Sequence, residues 1–110
     1  MNMNFKIYKN IRDGWTAESS LELPDNRALK ILTMKRHGGA IATTVQVVKI
    51  EDNCESFIMF QDYRKTLINE KKRCTEAFVR DQHYKAIYML PDILPEIYEQ
   101  YGFDKVENAA

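Results

Sequence analysis

A chain of 110 residues has room for one modest core, and its 45% hydrophobic and 11% aromatic content is that of a folded domain rather than a disordered segment. The formal net charge is zero, which argues against a bulk polyanion binder and leaves only local charge to be read. There is no apolar run of bilayer length, no apolar signal segment at the start, and only two cysteines, Cys54 and Cys74, with no metal-ligand spacing. The expectation is a cytoplasmic protein of one domain, with a frayed tail over 104–110 and no membrane, metal or cofactor.

Phe5 and Ile7 alternate with Lys6 and open a first short strand, and Asp13-Gly14 is a turn signal. From Trp15 to Leu23 the alternation is strict. Trp15, Ala17, Ser19, Leu21 and Leu23 share one face, and Thr16, Glu18, Ser20 and Glu22 the other, the pattern of a half-buried antiparallel strand. Pro24-Asp25-Asn26 ends it, because proline donates no N–H and Asn tolerates a left-handed backbone.

Two runs rich in aliphatic and β-branched residues follow, Ala28 to Arg36 and Ala40 to Ile50, joined through His37-Gly38-Gly39. A glycine pair between such runs predicts a β-hairpin, since tight hairpin turns need positive φ. A two-residue Gly38-Gly39 loop places Met34 opposite Thr43 and Leu32 opposite Val45. A three-residue His37-Gly38-Gly39 loop pairs Ile31 with Val45 and Leu29 with Val47. A slip of this kind changes which face is buried. Apolar residues on both faces of both arms predict a central hairpin whose basic tip projects past the sheet.

Glu51-Asp52-Asn53 is a further turn, and Cys54 to Phe60 reads as a fifth strand. The stretch from Gln61 to Lys72 fits a helix through Tyr63, Leu67 and Ile68, a short strand through Thr66-Leu67-Ile68, or a charged loop. Thr75 is an N-cap candidate, with Glu76 complementing the dipole of a helix that spans Glu76 to Leu90. Pro91 stops that helix in this reading. Asp92 caps a second one, with Pro95 in its first turn and Gly102 at its end. The predicted fold is α+β: a five-stranded antiparallel meander with two C-terminal helices packed on one face.

The candidate site is the hairpin tip, Lys35, Arg36, His37, Gly38 and Gly39. There lysine and arginine supply charge, His37 tunes it near neutral pH, and the glycines admit close backbone approach. The bland account is that such residues keep strand ends soluble. An acidic protein surface is preferred to nucleic acid as partner, because no aromatic residues interleave with the cations. A second candidate is Arg80 with His83 and Tyr84, which share one helix face at i, i+3 and i+4 and offer donors to an anion. The bland account leaves His83 and Tyr84 bordering the seam with wet polar tips.

Cys74 supports a different class, a cysteine-dependent enzyme, since it follows Lys71-Lys72-Arg73 at a helix N-terminus and both features favour thiolate. His83, about 13 Å along the same helix, is too distant to be its base. Tyr98 and Tyr101 are read as intramolecular packing, with a homodimer seam as the alternative. The acidic outer face of the last helix complements the basic hairpin in sign.

The stretches Leu29 to Gly39 with Thr43-Thr44, and Arg73-Cys74-Thr75-Glu76 with Val79-Arg80 and Gln82-His83, resemble small uncharacterised proteins of phages, plasmids and integron cassettes. The likeness covers Phe5 to Tyr101. It implies an accessory or inhibitory role in a mobile element and carries over no catalytic residue. Together these readings describe a small non-catalytic module that binds an acidic macromolecular surface through a basic hairpin.

Overall fold

A computed structural model describes residues 3–12, 14–51, 54–56 and 63–103. The chain runs β1 (Met3–Asn10), β2 (Gly14–Leu23), β3 (Arg27–Lys35), β4 (Ala40–Glu51), β5 (Cys54–Ser56), β6 (Arg64–Lys71) and α1 (Glu76–Tyr101). The sheet is antiparallel throughout, and β1 to β4 form a meander in sequence order. The fifth lane is shared. β6 pairs with Ala40–Gln46 of β4, and β5 with Lys49–Glu51.

The registers align the odd-numbered residues of β1 to β4 on one face: Phe5 opposite Ser19, Ser19 opposite Ile31, and Ile31 opposite Val45. That face carries α1, which contributes Val79, Gln82, His83, Ala86, Leu90, Ile93 and Ile97, the recurrence at three and four residues that a buried helical stripe requires. The outer face is mixed; there Glu18 accepts from the Tyr8 hydroxyl and lies 4.0 Å from Lys30.

The predicted α+β class and the first four strands match the structure. The turn after β2 uses positive φ at Asp25 and Asn26. The three-residue register holds for the central hairpin: Ile31 faces Val45, Leu29 faces Val47, and Arg36 N–H donates to Ala40 O at 2.8 Å. Two-sided burial favours it. Leu29, Ile31, Thr33, Ile41, Thr43, Val45 and Val47 all lie under α1 in this register, and a one-residue slip would break that alignment.

The open stretch is resolved as a strand from Arg64 onward, with Leu67 bulged where the register shifts between Thr43 and Thr44. The bulge lets Leu67 and Ile68, adjacent in sequence, both pack against the core. Of the predicted fifth strand, Cys54–Ser56 pairs with β4; residues 57–60 lie outside the described residues, as do Asp13, 52–53, 61–62 and the tail over 104–110.

The two predicted helices are one. Thr75 is the N-cap, its hydroxyl accepting from Phe78 N–H at 3.1 Å, and Gly102 closes the C-terminus, but α1 runs through Pro91 and Pro95 without a break. Both prolines are on the solvent side. The carbonyls they leave without a helical donor, those of Ile87 and Pro91, belong to that turn, while the buried stripe passes unbroken from Leu90 to Ile93 and Ile97. Burial of that stripe outweighs the proline cost, so Asp92 is an exposed residue within the helix and caps nothing.

Candidate functional site

Two polar assemblies stand out, one exposed and one buried. The exposed one is built at the end of the sheet from which α1 begins. Gly38 and Gly39 turn the chain with φ of 88° and 85°, and Gly39 N–H donates to Arg36 O at 3.0 Å. This leaves Lys35, Arg36, His37 and Gly38 exposed at the tip. The β6 register sets Lys71 beside Ala40, the residue after the turn, and Lys72 and Arg73 follow, exposed, before Cys74 packs against Trp15. Two basic runs separated by more than thirty residues in sequence thus meet at one end of the sheet.

Lys35, Arg36, Lys71, Lys72 and Arg73 are all exposed, and none has an ion-pair partner among the described residues. Glu70, opposite Ile41, also lies at this end. Lys71 to Arg73 were not among the predicted site residues. Their charge was legible in the sequence; their position depended on β6 being a strand.

The buried assembly lies between α1 and the sheet. Ser19 Oγ is 2.7 Å from His83 Nε2, and His83 Nδ1 is 2.8 Å from Thr33 Oγ1. Thr33 Oγ1 is 2.6 Å from Thr43 Oγ1, which donates to Gln82 Oε1 at 2.8 Å; Gln82 Nε2 donates to Ile41 O at 3.2 Å. All five side chains are within 2% of full burial.

The direction of this relay follows from its end. A backbone carbonyl only accepts, so the amide nitrogen of Gln82 faces Ile41 and its oxygen faces Thr43. Thr43 spends its proton on that oxygen. Thr33 therefore donates to Thr43, His83 donates from Nδ1 to Thr33, and Ser19 donates to Nε2. His83 is thereby fixed as the neutral Nδ1–H tautomer. Burial lowers its pKa from 6.5 to about 4, against a weaker upward pull from Glu18.

The geometry corrects the predicted helix site. His83 has no wet tip: its ring is fully buried, 5.5 Å from Phe5, and both nitrogens are engaged. Arg80 points outward, donates to Glu76 Oε2 at 2.8 Å and sits 5.8 Å over the Phe5 ring. Arg80 and His83 therefore do not converge on one anion. Tyr84, 42% exposed, stacks on Phe5 at 5.4 Å.

Cys74 packs with Trp15, Phe78 and Ile7 around Ala17, Ile41 and Val79, and its thiol donates to Trp15 O at 3.5 Å. A Cβ on Gly14 would come within 3.2 Å of its sulfur, so the glycine is what lets β2 pass so close. Tyr98 and Tyr101 pack on the larger core cluster and on Phe103, with Arg27 4.9 Å above the Tyr101 ring. Among the described residues no three His, Cys, Asp or Glu side chains group as metal ligands, and no helix is long and apolar enough to cross a membrane.

Fold and site define a helix-on-sheet α+β domain with one basic end. Comparison with protein-family models, with curated proteins and with solved structures returns no match.

Proposed function

We propose that this chain is a small non-catalytic binding module that engages an acidic protein surface through the basic end of its sheet, in an accessory or inhibitory role. The observation that supports this reading is the convergence of Lys71, Lys72 and Arg73 with Lys35, Arg36 and His37, exposed and without ion pairs among the described residues. Exposed cations without partners among the described residues keep their charge for a partner. A carboxylate-bearing surface suits this end better than a nucleic acid does. The net charge is zero, Glu70 sits among the cations, and no aromatic residue interleaves with Lys35-Arg36-His37 or Lys71-Lys72-Arg73 in the sequence to stack on a base.

The test is titration with polyglutamate and with a duplex DNA, on the wild type and on Lys35→Glu/Arg36→Glu and Lys71→Glu/Lys72→Glu. The expected result is polyglutamate binding that each double reversal weakens at least tenfold. Equal binding by the reversed variants, or no binding to either probe, removes the reading. Preference for DNA, with affinity falling steeply with salt, transfers the site to nucleic acid.

A further inference from the structure

The buried relay divides the helix–sheet core into unequal parts. On its C-terminal side lies a cluster of eleven buried residues, including Leu29, Ile31, Val45, Leu90 and Ile97. On its N-terminal side the described residues give a cluster of three buried ones, Ala17, Ile41 and Val79, with Phe5, Ile7, Trp15, Cys74 and Phe78 partly buried. The N-terminal half of α1 is thus held by a small apolar patch and by Gln82 and His83. Pro91 withholds a hydrogen bond from Ile87 O, next to Ala86 where the larger cluster takes over the helix, and a missing bond of this kind is where a helix bends.

We propose that the Ser19–His83–Thr33–Thr43–Gln82 relay is an acid-released latch: on protonation of His83, residues 76–85 of α1 leave the sheet while the C-terminal half stays seated. A proton on Nε2 turns that atom from acceptor to donor and places a cation among hydroxyls and an amide. None of these can bear the opposite charge. The inner faces opposite the ring offer Phe5 on β1, Ser19 on β2, Thr33 on β3 and Thr43 on β4, none of which titrates. Glu18 acts from the outer face of β2. On α1 itself Arg80 is tied to Glu76, Asp81 to Lys85, and Tyr84 lies outward. The imidazolium is stabilised by leaving the core, and burial of the neutral ring already opposes its ionisation. The latch does not depend on the proposed binding role.

Trp15, the only tryptophan, belongs to the small cluster and reports on this half alone. Its emission is followed from pH 7.5 to 4.5 in the wild type and in His83→Gln, together with amide exchange corrected for the intrinsic pH dependence. The latch predicts a red shift of Trp15 and on the order of 70-fold more opening of residues 76–85 in the wild type, from the displacement of His83 titration. It predicts neither change in His83→Gln, and retained protection over residues 90–100. A flat wild-type response, an equal response in the variant, or loss of protection in both halves together overturns it. Because the variant can fail to fold, nitrogen-15 NMR of wild-type His83 at neutral pH gives an independent check: the Nδ1–H tautomer is required, and Nε2–H overturns the relay.

Discussion

The two halves of the α1–sheet interface solve the same packing problem with different chemistry. The C-terminal half is apolar: Ala86, Leu90, Ile93 and Ile97 press on Leu21, Leu29, Ile31, Val45 and Val47, so its stability comes from area removed from water and depends little on pH. At its rim, Tyr63 donates to Glu96 at 3.1 Å, Lys65 approaches the same carboxylate at 3.8 Å, and Tyr63 N–H donates to Tyr101 Oη at 2.7 Å. The N-terminal half trades apolar area for a directional chain of hydrogen bonds. Such a chain contributes modestly when complete and costs much when one member is missing. One half is tolerant in geometry and strong; the other is specific and breakable.

Leu90→Ala should have the largest effect. It opens a cavity in the larger cluster and is expected to cost about 2–5 kcal/mol in urea unfolding. Val79→Ala, in the smaller cluster, should cost clearly less. Equal losses would mean that the two clusters act as one.

Acid should discriminate the halves next. The pKa of His83 is 6.5 in the unfolded chain and about 4 in the fold, so the unfolded chain takes up the proton first as pH falls. The contribution of the neutral ring is whole above about pH 6.5 and is lost on descending to pH 4, for a total of roughly 3 kcal/mol at 1.4 kcal/mol per unit. Stability measured by urea at pH 7 and pH 4.5 should converge in the wild type toward that of His83→Gln, whose own pH dependence should be flatter.

Thr33→Val removes the acceptor of His83 Nδ1–H and a donor to Thr43 at once, and is expected to cost about 1–3 kcal/mol by the same measurement. A neutral result would show that the relay relaxes around the gap. The smallest effect is of opposite sign. Pro91→Ala restores an N–H to Ile87 O on the solvent side and should raise the thermal midpoint, by an amount corresponding to about 1 kcal/mol. It should also stiffen the helix at Ile87, next to the boundary of the two clusters, and make the acid response of Trp15 less local.

The first four strands were legible from residues of their own segments and the turns between them. Trp15 to Leu23 alternates without error, and the glycine pair after His37 can only be a turn. Even the relay left a trace, in Ser19 on the apolar face of that alternation and in Gln82 and His83 on the helical stripe. What could not be read was that Ser19, Thr33, Thr43, Gln82 and His83 meet, since a polar residue at a core position does not name its partner. The helix break at Pro91 was misread for a related reason. The local cost of proline is plain in the sequence, and the burial of Leu90, Ile93 and Ile97 that exceeds it is not.

By itself, then, the sequence determined the class of the fold, the first four strands, the turn residues and the caps at Thr75 and Gly102, all set by interactions within a few residues of chain. Only the tertiary structure decided the hairpin register, the single helix, the tautomer of His83 and the meeting of Lys71–Arg73 with Lys35–His37. Each of these depends on which distant strand lies alongside, and that choice is made by the summed burial of the whole sheet against α1, not by any one segment.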